Sequence, residues 1–209
     1  RPNLMAFIIV GDIDPDSMEQ LILSHFNGIK NPEQERVRNR FEIPDKPGTS
    51  TLIMADKEMP VVQIAMLCKV NPIVGEKQSD FRKLLGIRLI GGMLTQRYND
   101  LREKADAPIL GGQASYEPLF PEKSLVQLAV ATNENSVDKG LEALIAEAER
   151  VLRFGFTEGE LKRQKKELLT MYENAYNERD KTNSESLAGE YVRNFTLKEC
   201  IPGIEYEYN

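Results

Sequence analysis

The links between the predicted neighbouring strands of this chain are short, which limits how those strands can pair. Two pairs of strands are predicted, residues 51–55 with 61–70 and residues 113–117 with 124–132. Only five or six residues separate the two members of each pair, and Lys57-Glu58-Met59-Pro60 is expected to form the first hairpin connection. A parallel connection needs a dozen or more residues, so links of this length predict antiparallel pairing.

Helical periodicity and capping signals predict five helices around these strands. A further strand, residues 4–10, precedes the first helix. The predicted helices are residues 15–26, residues 79–104, a stretch from Asn135 or Ser136 to about 154, a stretch that starts near Thr157, and residues 184–195. The resulting order is strand, helix, two strands, helix, two strands and three helices. It predicts a two-layer α+β sandwich, with a mostly antiparallel sheet and helices packed on one face.

Local signals refine several of these elements. Asp14 before Pro15 is typical of a helix start, and Thr157 with Glu160 forms a capping box. The helix after Thr157 is expected to turn Leu161, Leu168, Tyr172, Ala175 and Tyr176 inward. In the strand over residues 124–132, we expect Leu125, Val126, Leu128 and Val130 on the apolar side, against Gln127, Ala129 and Ala131.

Two adjacent glycines, Gly91 and Gly92, interrupt the longest predicted helix. Each costs a helix interior about 1 kcal/mol relative to alanine. A neighbouring element that approaches the helix closely would explain that cost, so we expect a close contact at this point.

The chain is expected to form a single domain over residues 1–209 within a larger protein. Its Arg-Pro-Asn start leads directly into an apolar run, with no methionine start and no leader. Residues 30–48 are polar and contain three prolines, which predicts a long surface connection. Residues from about 196 to 209 are expected to be a tail or linker toward the next domain.

Composition argues against several classes of function. The net charge of -6 disfavours nucleic acid as a partner, because phosphate binding needs clustered lysine and arginine. No apolar run approaches the roughly 20 residues of a membrane span. The two cysteines, Cys68 and Cys200, are too few and too distant for a disulfide scaffold.

A metal site within this chain is not expected. The chain has one histidine, His25, and a zinc site with Cys68 and Cys200 would draw on three distant elements. Asp12, Asp14 and Asp16 resemble the start of a calcium loop, but Ser17 and Leu23 occupy the positions that require glycine and glutamate. Helix capping explains these aspartates. The acidic turn at Gly11-Asp12 also disfavours phosphate binding.

Side-chain patterns for catalysis are equally weak. No G-x-S-x-G elbow is present, and a nucleophile would have only His25 as its base. Carboxylate pairs such as Glu142 with Glu147, or Glu158 with Glu160, are expected to be solvated helix faces. The basic run over residues 162–166 lies near Glu158, Glu160 and Glu167, which predicts pairing along one helix.

Three segments resemble one enzyme family. Residues 1–22, RPNLMAFIIVGDIDPDSMEQLI, resemble the opening of the second domain in the pitrilysin and mitochondrial-processing-peptidase family of zinc metallopeptidases, the inverzincins. Residues 85–116, with Leu-Arg-Glu-Lys, are similar to that family's long helix and following strand. Residues 155–161, GFTEGEL, resemble the start of its late helices. Residues 175–181 and 201–206 look most like large bacterial zinc-protease members.

The resemblance implies a LuxS and processing-peptidase-like metallohydrolase fold, with several homologous α+β domains around an enclosed chamber. The family's catalytic domain carries H-x-x-E-H, whose histidines bind zinc and whose glutamate activates water. None of these residues has a counterpart here, so the resemblance implies no catalytic, cofactor-binding or metal-binding residue in this chain. Zinc would lie in the parent's catalytic domain. The implied role is a non-catalytic scaffold and chamber-lining domain of a zinc metalloendopeptidase that hydrolyses peptides.

The implied partners are the catalytic domain, other homologous domains of the same polypeptide, and a peptide substrate in the chamber. The implied location is the bacterial periplasm or cell envelope. Two alternatives stay open: a domain of a non-peptidase assembly subunit with the same fold, and an independent domain that binds a small ligand. An H-x-x-E-H motif upstream of Arg1 would favour the peptidase, whereas a deep closed pocket would favour the ligand-binding domain.

Overall fold

Three antiparallel strands form the sheet of the computed structural model, which describes residues 1–39, 41–73 and 77–208. These are β1 (Val62–Val70), β2 (Gly111–Phe120) and β3 (Lys123–Thr132), in the order β1-β3-β2. Both pairings are antiparallel. For β2 and β3, the short link between the strands requires this. The central strand β3 therefore carries both ladders of the sheet.

Six α-helices accompany the sheet in the described part of the chain. They are α1 (Pro15–Phe26), α2 (Gln78–Arg102), α3 (Val137–Phe154), α4 (Glu158–Asn177), α5 (Ser184–Leu197) and α6 (Ile204–Tyr208). Helix α2 packs on β2, α3 packs on β3 and β1, and α4 packs on α2. The predicted α+β class with an antiparallel sheet is confirmed, as are the five predicted helices.

The buried core lies between the sheet and the two helices that cover it. Its fully or nearly fully buried members come from α2, the following loop, β3 and α3: Leu94, Tyr98, Ile109, Val130 and Leu144. Tyr98 is completely buried, and its hydroxyl donates a hydrogen bond of 3.4 Å to the Leu144 carbonyl. Because a buried phenol needs a hydrogen-bond partner, this contact fixes α3 against α2.

The close approach expected at Gly91 and Gly92 is confirmed. A Cβ atom on Gly91 would lie 3.0 Å from the Ala114 carbonyl oxygen of β2. A Cβ atom on Gly92 would lie 2.4 Å from Cδ of Gln164 on α4. The two glycines therefore let α2 approach the sheet on one side and a neighbouring helix on the other.

Two predicted strands are not formed among the described residues. Leu4 ends a 3₁₀ turn, and residues 5–10 and 51–55 belong to no helix and no ladder. Strand β1 pairs with β3 over nine residues and not with residues 51–55. Lys57-Glu58-Met59-Pro60 is therefore not a hairpin connection. A strand over residues 51–55 would form only about half as many residue pairs as β1 forms with β3. Leu52, Ile53 and Met54 are 81 to 87% exposed.

Most helix-end predictions agree with the structure. The Asp14 carboxylate accepts a hydrogen bond of 3.0 Å from the Ser17 amide, and the Thr157–Glu160 capping box is fully formed. Ser136 precedes α3, but its side chain makes no capping hydrogen bond. On α4, Ala175 is exposed, in contrast to the inward position expected for it.

A short helix lies in the part of the chain that is expected to be a tail or linker. Within the expected tail over residues 196–209, α6 forms and packs against α4. The Tyr208 ring stacks on Tyr176 with centroids 5.0 Å apart. Asn209 lies outside the described residues, as does Arg40 of the predicted connection over residues 30–48.

Candidate functional site

One face of the sheet carries the helices, and the other face is open. Residues opposite each other in antiparallel strands point to the same side. Ile64, Val130 and Gly112 are opposed in the register and face the helices. The residues that alternate with these along each strand therefore point away from the helices. We call this second side the open face; it consists of Gln63, Ala65, Leu67, Lys69, Gln113, Ser115, Glu117, Leu125, Gln127, Ala129 and Ala131.

The open face is mostly uncharged. Amide, hydroxyl and methyl groups dominate it, with Lys69 and Glu117 as its charged members. On β1 its residues are exposed, and Leu67 is 58% exposed. Among the described residues, the open face holds no histidine or cysteine.

Leu125 belongs to this open face, whereas the sequence pattern placed it with Val126, Leu128 and Val130. In the register Leu125 is opposite Lys69 and Glu117, two outward residues. Successive strand residues point to opposite sides, so Leu125 and Val126 cannot both face the helices. An apolar residue is thereby presented on the open side of β3.

A second cluster of interest is the Arg97 centre, formed by Arg97, Glu147, Phe156 and Glu160. Arg97 Nε lies 2.6 Å from Glu160 Oε1, and Nη2 lies 3.1 Å from Oε2, a bidentate pair. Arg97 Nη2 also donates to the Gly155 carbonyl at 3.0 Å, and the guanidinium lies 4.7 Å from the Phe156 ring centroid. Glu147 Oε2 is 3.6 Å from Nη1, an ion pair without a hydrogen bond.

The electrostatics of the Arg97 centre favour fixed charges. Hydrogen bonds from Arg97 lower the pKa of Glu160 to about 2, and the same contact raises the pKa of Arg97. Both groups therefore stay ionised throughout the physiological range, which is unsuitable for acid–base catalysis near neutral pH. The cluster ties α2, α3 and α4 together.

The expectation that Glu147 and Glu160 belong to solvated helix faces is therefore wrong. The side chains of Arg97 and Glu147 are only 10% and 9% exposed. Glu160 is separated from Arg97 by 63 residues, so helix periodicity alone could not reveal their contact. The sequence does contain the capping box, which places the Glu160 carboxylate at the start of α4, but this motif does not identify Arg97 as its partner.

The residues weighed for metal binding lie apart. His25 is in the last turn of α1, Cys68 is on β1, and Cys200 follows α5; all three are exposed. Within residues 1–39, 41–73 and 77–208, no group of three or more histidine, cysteine, aspartate or glutamate side chains could hold a metal ion. Asp14 is occupied by its capping bond to Ser17.

The basic run on α4 differs from its expected pairing. Glu160 pairs with Arg97 on α2, and no ion pair within 4.0 Å joins the described run to Glu158 or Glu167. Lys162, Lys165 and Lys166 line a shallow groove along the outer side of α4, together with Leu161 and Leu169. A groove bounded by a single helix is a surface feature and no enclosed ligand pocket.

The sequence matches the family described as the Peptidase M16 inactive domain over residues 1–168. The chain belongs to this family. The resemblance to zinc metallopeptidases and the assignment to a non-catalytic domain are thereby confirmed.

Two curated relatives are zinc proteases by name. The chain is 27% identical over 206 residues to "Zinc protease PQQL-like" of Arabidopsis thaliana, covering 97% of this chain and 18% of the relative. It is 28% identical over 178 residues to "Probable zinc protease PqqL" of Escherichia coli strain K12, covering 84% and 19%. This M16 chain thus spans less than one fifth of the length of these relatives.

Solved structures share the fold. The first half of the periplasmic protease PqqL from Escherichia coli superposes with a TM-score of 0.77 at 20% identity, over 95% of this chain and 42% of that one. A predicted insulinase family protease from Yersinia pestis gives a TM-score of 0.79 at 12% identity, over 94% and 43%. No helix in the described part of the M16 chain is long and apolar enough to cross a membrane.

Proposed function

We propose that this chain is a scaffold and chamber-lining domain of a zinc metalloendopeptidase that hydrolyses peptides. The open face of the sheet carries the proposal, because helices cover only the opposite side. A broad, mostly uncharged surface can border an extended peptide without selecting its charge. The M16 match supports the peptidase context.

In this proposal the chain supplies neither the metal nor the catalytic groups. Zinc and its ligands would belong to a catalytic domain outside residues 1–209, with no catalytic, cofactor-binding or metal-binding residue within them. The partners would be that domain, other homologous domains of the same polypeptide, and the peptide substrate. Residues from about 196 would connect to the next domain. The periplasmic PqqL of Escherichia coli supports a periplasmic or envelope location.

The non-catalytic role is tested with the 209-residue chain alone. We expect substoichiometric zinc by metal analysis and no cleavage of a mixed peptide library after dialysis against zinc. Stoichiometric zinc, or turnover that follows the folded chain through purification, would contradict the proposal. An H-x-x-E-H motif in the encoded sequence upstream of Arg1 separates the peptidase from a non-peptidase assembly subunit, which would lack it.

The chamber-lining role needs the longer polypeptide and a matched pair of variants. Leu67→Arg places a long cation on the open face, and Leu152→Arg places the same cation on the outer side of α3, where Leu152 is 81% exposed. We expect Leu67→Arg to raise KM for peptides several-fold with unchanged zinc content, and Leu152→Arg to leave KM unchanged. Equal effects of the two variants would contradict a substrate-facing role for the open face.

A further inference from the structure

Two lysines at one end of the sheet bind the segment that connects α1 to β1. Lys69 lies on β1 and belongs to the open face. Lys123 lies on β3 two residues before Leu125, so its side chain points to the same side of the sheet. The Lys69 ammonium group donates a hydrogen bond to the Pro44 carbonyl. Lys123 Nζ donates to Asp45 Oδ2 at 2.8 Å. We call Lys69 and Lys123 the lysine pair.

A carboxylate occupies the lysine pair in this structure. The hydrogen bond from Lys123 lowers the pKa of Asp45, and the positive charges of Lys123 and Lys69 lower this pKa further. Lys123 Nζ also lies 3.4 Å from Asn71 Oδ1, and the Lys123 side chain is only 13% exposed. A mostly buried cation needs a negative partner and hydrogen-bond acceptors. The chemistry that this end of the sheet accepts is therefore that of a carboxylate.

The contacts that hold Asp45 are few and open to solvent. Its side chain is 68% exposed, and the neighbouring Pro44 and Lys46 are exposed as well. Within the described part of residues 41–55, Pro44 and Asp45 make the hydrogen bonds to the sheet. An ion pair with an exposed partner contributes little to stability, so a second carboxylate can replace that of Asp45 on the lysine pair.

We infer that the lysine pair binds an acidic side chain of a peptide on the open face, and that Asp45 occupies this position when no such peptide is bound. The inference rests on the proposed function, which supplies the peptide. The open face is otherwise mostly uncharged, and Glu117 forms no ion pair within 4.0 Å with either lysine in the described part of the chain. An acidic peptide would therefore gain charge-assisted hydrogen bonds that a neutral peptide lacks.

The test measures peptide binding to the 209-residue chain by fluorescence anisotropy. Two short labelled peptides of alanine, serine and glutamine are blocked at both ends and differ only at the centre, which is glutamate in one and glutamine in the other. Asp45→Asn removes the internal competitor. The glutamate peptide should therefore bind this variant at least about fivefold more tightly than the wild-type chain, whereas the glutamine peptide should bind both equally.

Matched variants separate the lysine pair from the general charge of the chain. Asp56→Asn removes an acidic residue of the same connection whose carboxylate accepts a hydrogen bond from the nearby Glu58 amide, and it should leave both affinities unchanged. In the Asp45→Asn chain, Lys123→Met should weaken the binding of the glutamate peptide to that of the glutamine peptide. Lys166→Met, which removes an exposed lysine of α4, should not weaken it.

Four results would overturn the inference. Tighter binding of both peptides by Asp45→Asn would show that the connection covers the face without selecting charge, and an equal effect of Asp56→Asn would show that only net charge matters. An unchanged affinity of Asp45→Asn for the glutamate peptide, or no binding of either peptide, would show that the lysine pair is no peptide site. Zinc content and cleavage of the glutamine peptide by the longer polypeptide report separately on the proposed function.

Discussion

At the scale of single residues, Arg97 is the side chain whose loss should cost the most stability. Removing it would leave the carboxylates of Glu147 and Glu160 without their shared cation in a region that is only 9 to 15% exposed. Breaking a largely buried ion pair by removing one partner costs about 3 kcal/mol or more. We expect Arg97→Met to lower the free energy of unfolding by about 3 kcal/mol in urea titrations.

Arg102→Met is the matched control for this prediction. Arg102 lies on the same helix, but its ion pair with Glu103 is 3.9 Å long and at least half exposed. Exposed pairs contribute less than about 1 kcal/mol, so this variant should unfold near the wild-type midpoint. Similar losses for the two arginine variants would show that the Arg97 centre is no special tie between α2, α3 and α4.

The charge of Glu160 makes part of the stability depend on pH. Hydrogen bonds from Arg97 hold its pKa in the folded chain at about 2, below the ordinary value of 4.5. A lowered folded pKa stabilises the protein fully above pH 4.5, and this contribution is lost as the pH falls from 4.5 toward 2. We therefore expect Glu160→Gln to destabilise the chain at pH 7 and to cost much less at pH 2.5.

Urea titrations of the wild-type chain and of Glu160→Gln at pH 7 and at pH 2.5 measure this difference in the free energy of unfolding. Glu158→Gln controls for the loss of one negative charge in the first turn of α4, where acidic residues favour the helix dipole. The same destabilisation by Glu160→Gln at both pH values would exclude a charged hydrogen bond as its source.

At the scale of elements, the contact between α2 and the sheet depends on a glycine without room for a side chain. A Cβ atom on Gly112 would lie 2.8 Å from Cβ and Cγ of Tyr98, whose side chain is fully buried. Gly111, its neighbour on β2, has open space at the same position. Overpacking a core costs about 1–3 kcal/mol, so Gly112→Ala should lower the melting temperature by several degrees.

Gly111→Ala should leave the melting temperature nearly unchanged, since both variants sit on one strand and differ only in what the new methyl group meets. If the two variants melt alike, Tyr98 moves aside without cost and the packing of α2 on β2 is looser than the distances indicate.

The elements that the sequence predicts well are those specified by local chemistry. Asp14, Thr157 and Glu160 cap their helices through groups three residues apart, so α1 and α4 begin where expected. An apolar run such as residues 51–55 indicates extended chain but does not name the strand that pairs with it. The same limit applies to the site: the bond from Arg97 to Glu160 joins residues 63 positions apart.

At the scale of the whole molecule, α2, α3, α4 and α6 pack with the sheet into one body, and residues 1–36 contribute no member to its buried cluster. The buried cluster consists of residues from α2, the loop before β2, β3 and α3. None of its members precedes residue 94. Among the partly buried residues that pack against the cluster, Ile64 of β1 is the first in the chain. The open face consists of residues of the three strands of this body. We therefore expect the structure of the open face to be independent of residues 1–36.

Removing residues 1–36 tests this independence. Because α1 has no buried residue, the truncated chain should unfold within about 1 kcal/mol of the full chain and keep its cooperative transition. Removing residues 203–209 is the contrasting deletion: it takes away α6 and the stacking of Tyr208 on Tyr176, and should cost about 2 kcal/mol. Thermal unfolding followed by circular dichroism measures both. A truncated chain that melts without cooperativity would show that the packed body needs residues 1–36 to fold.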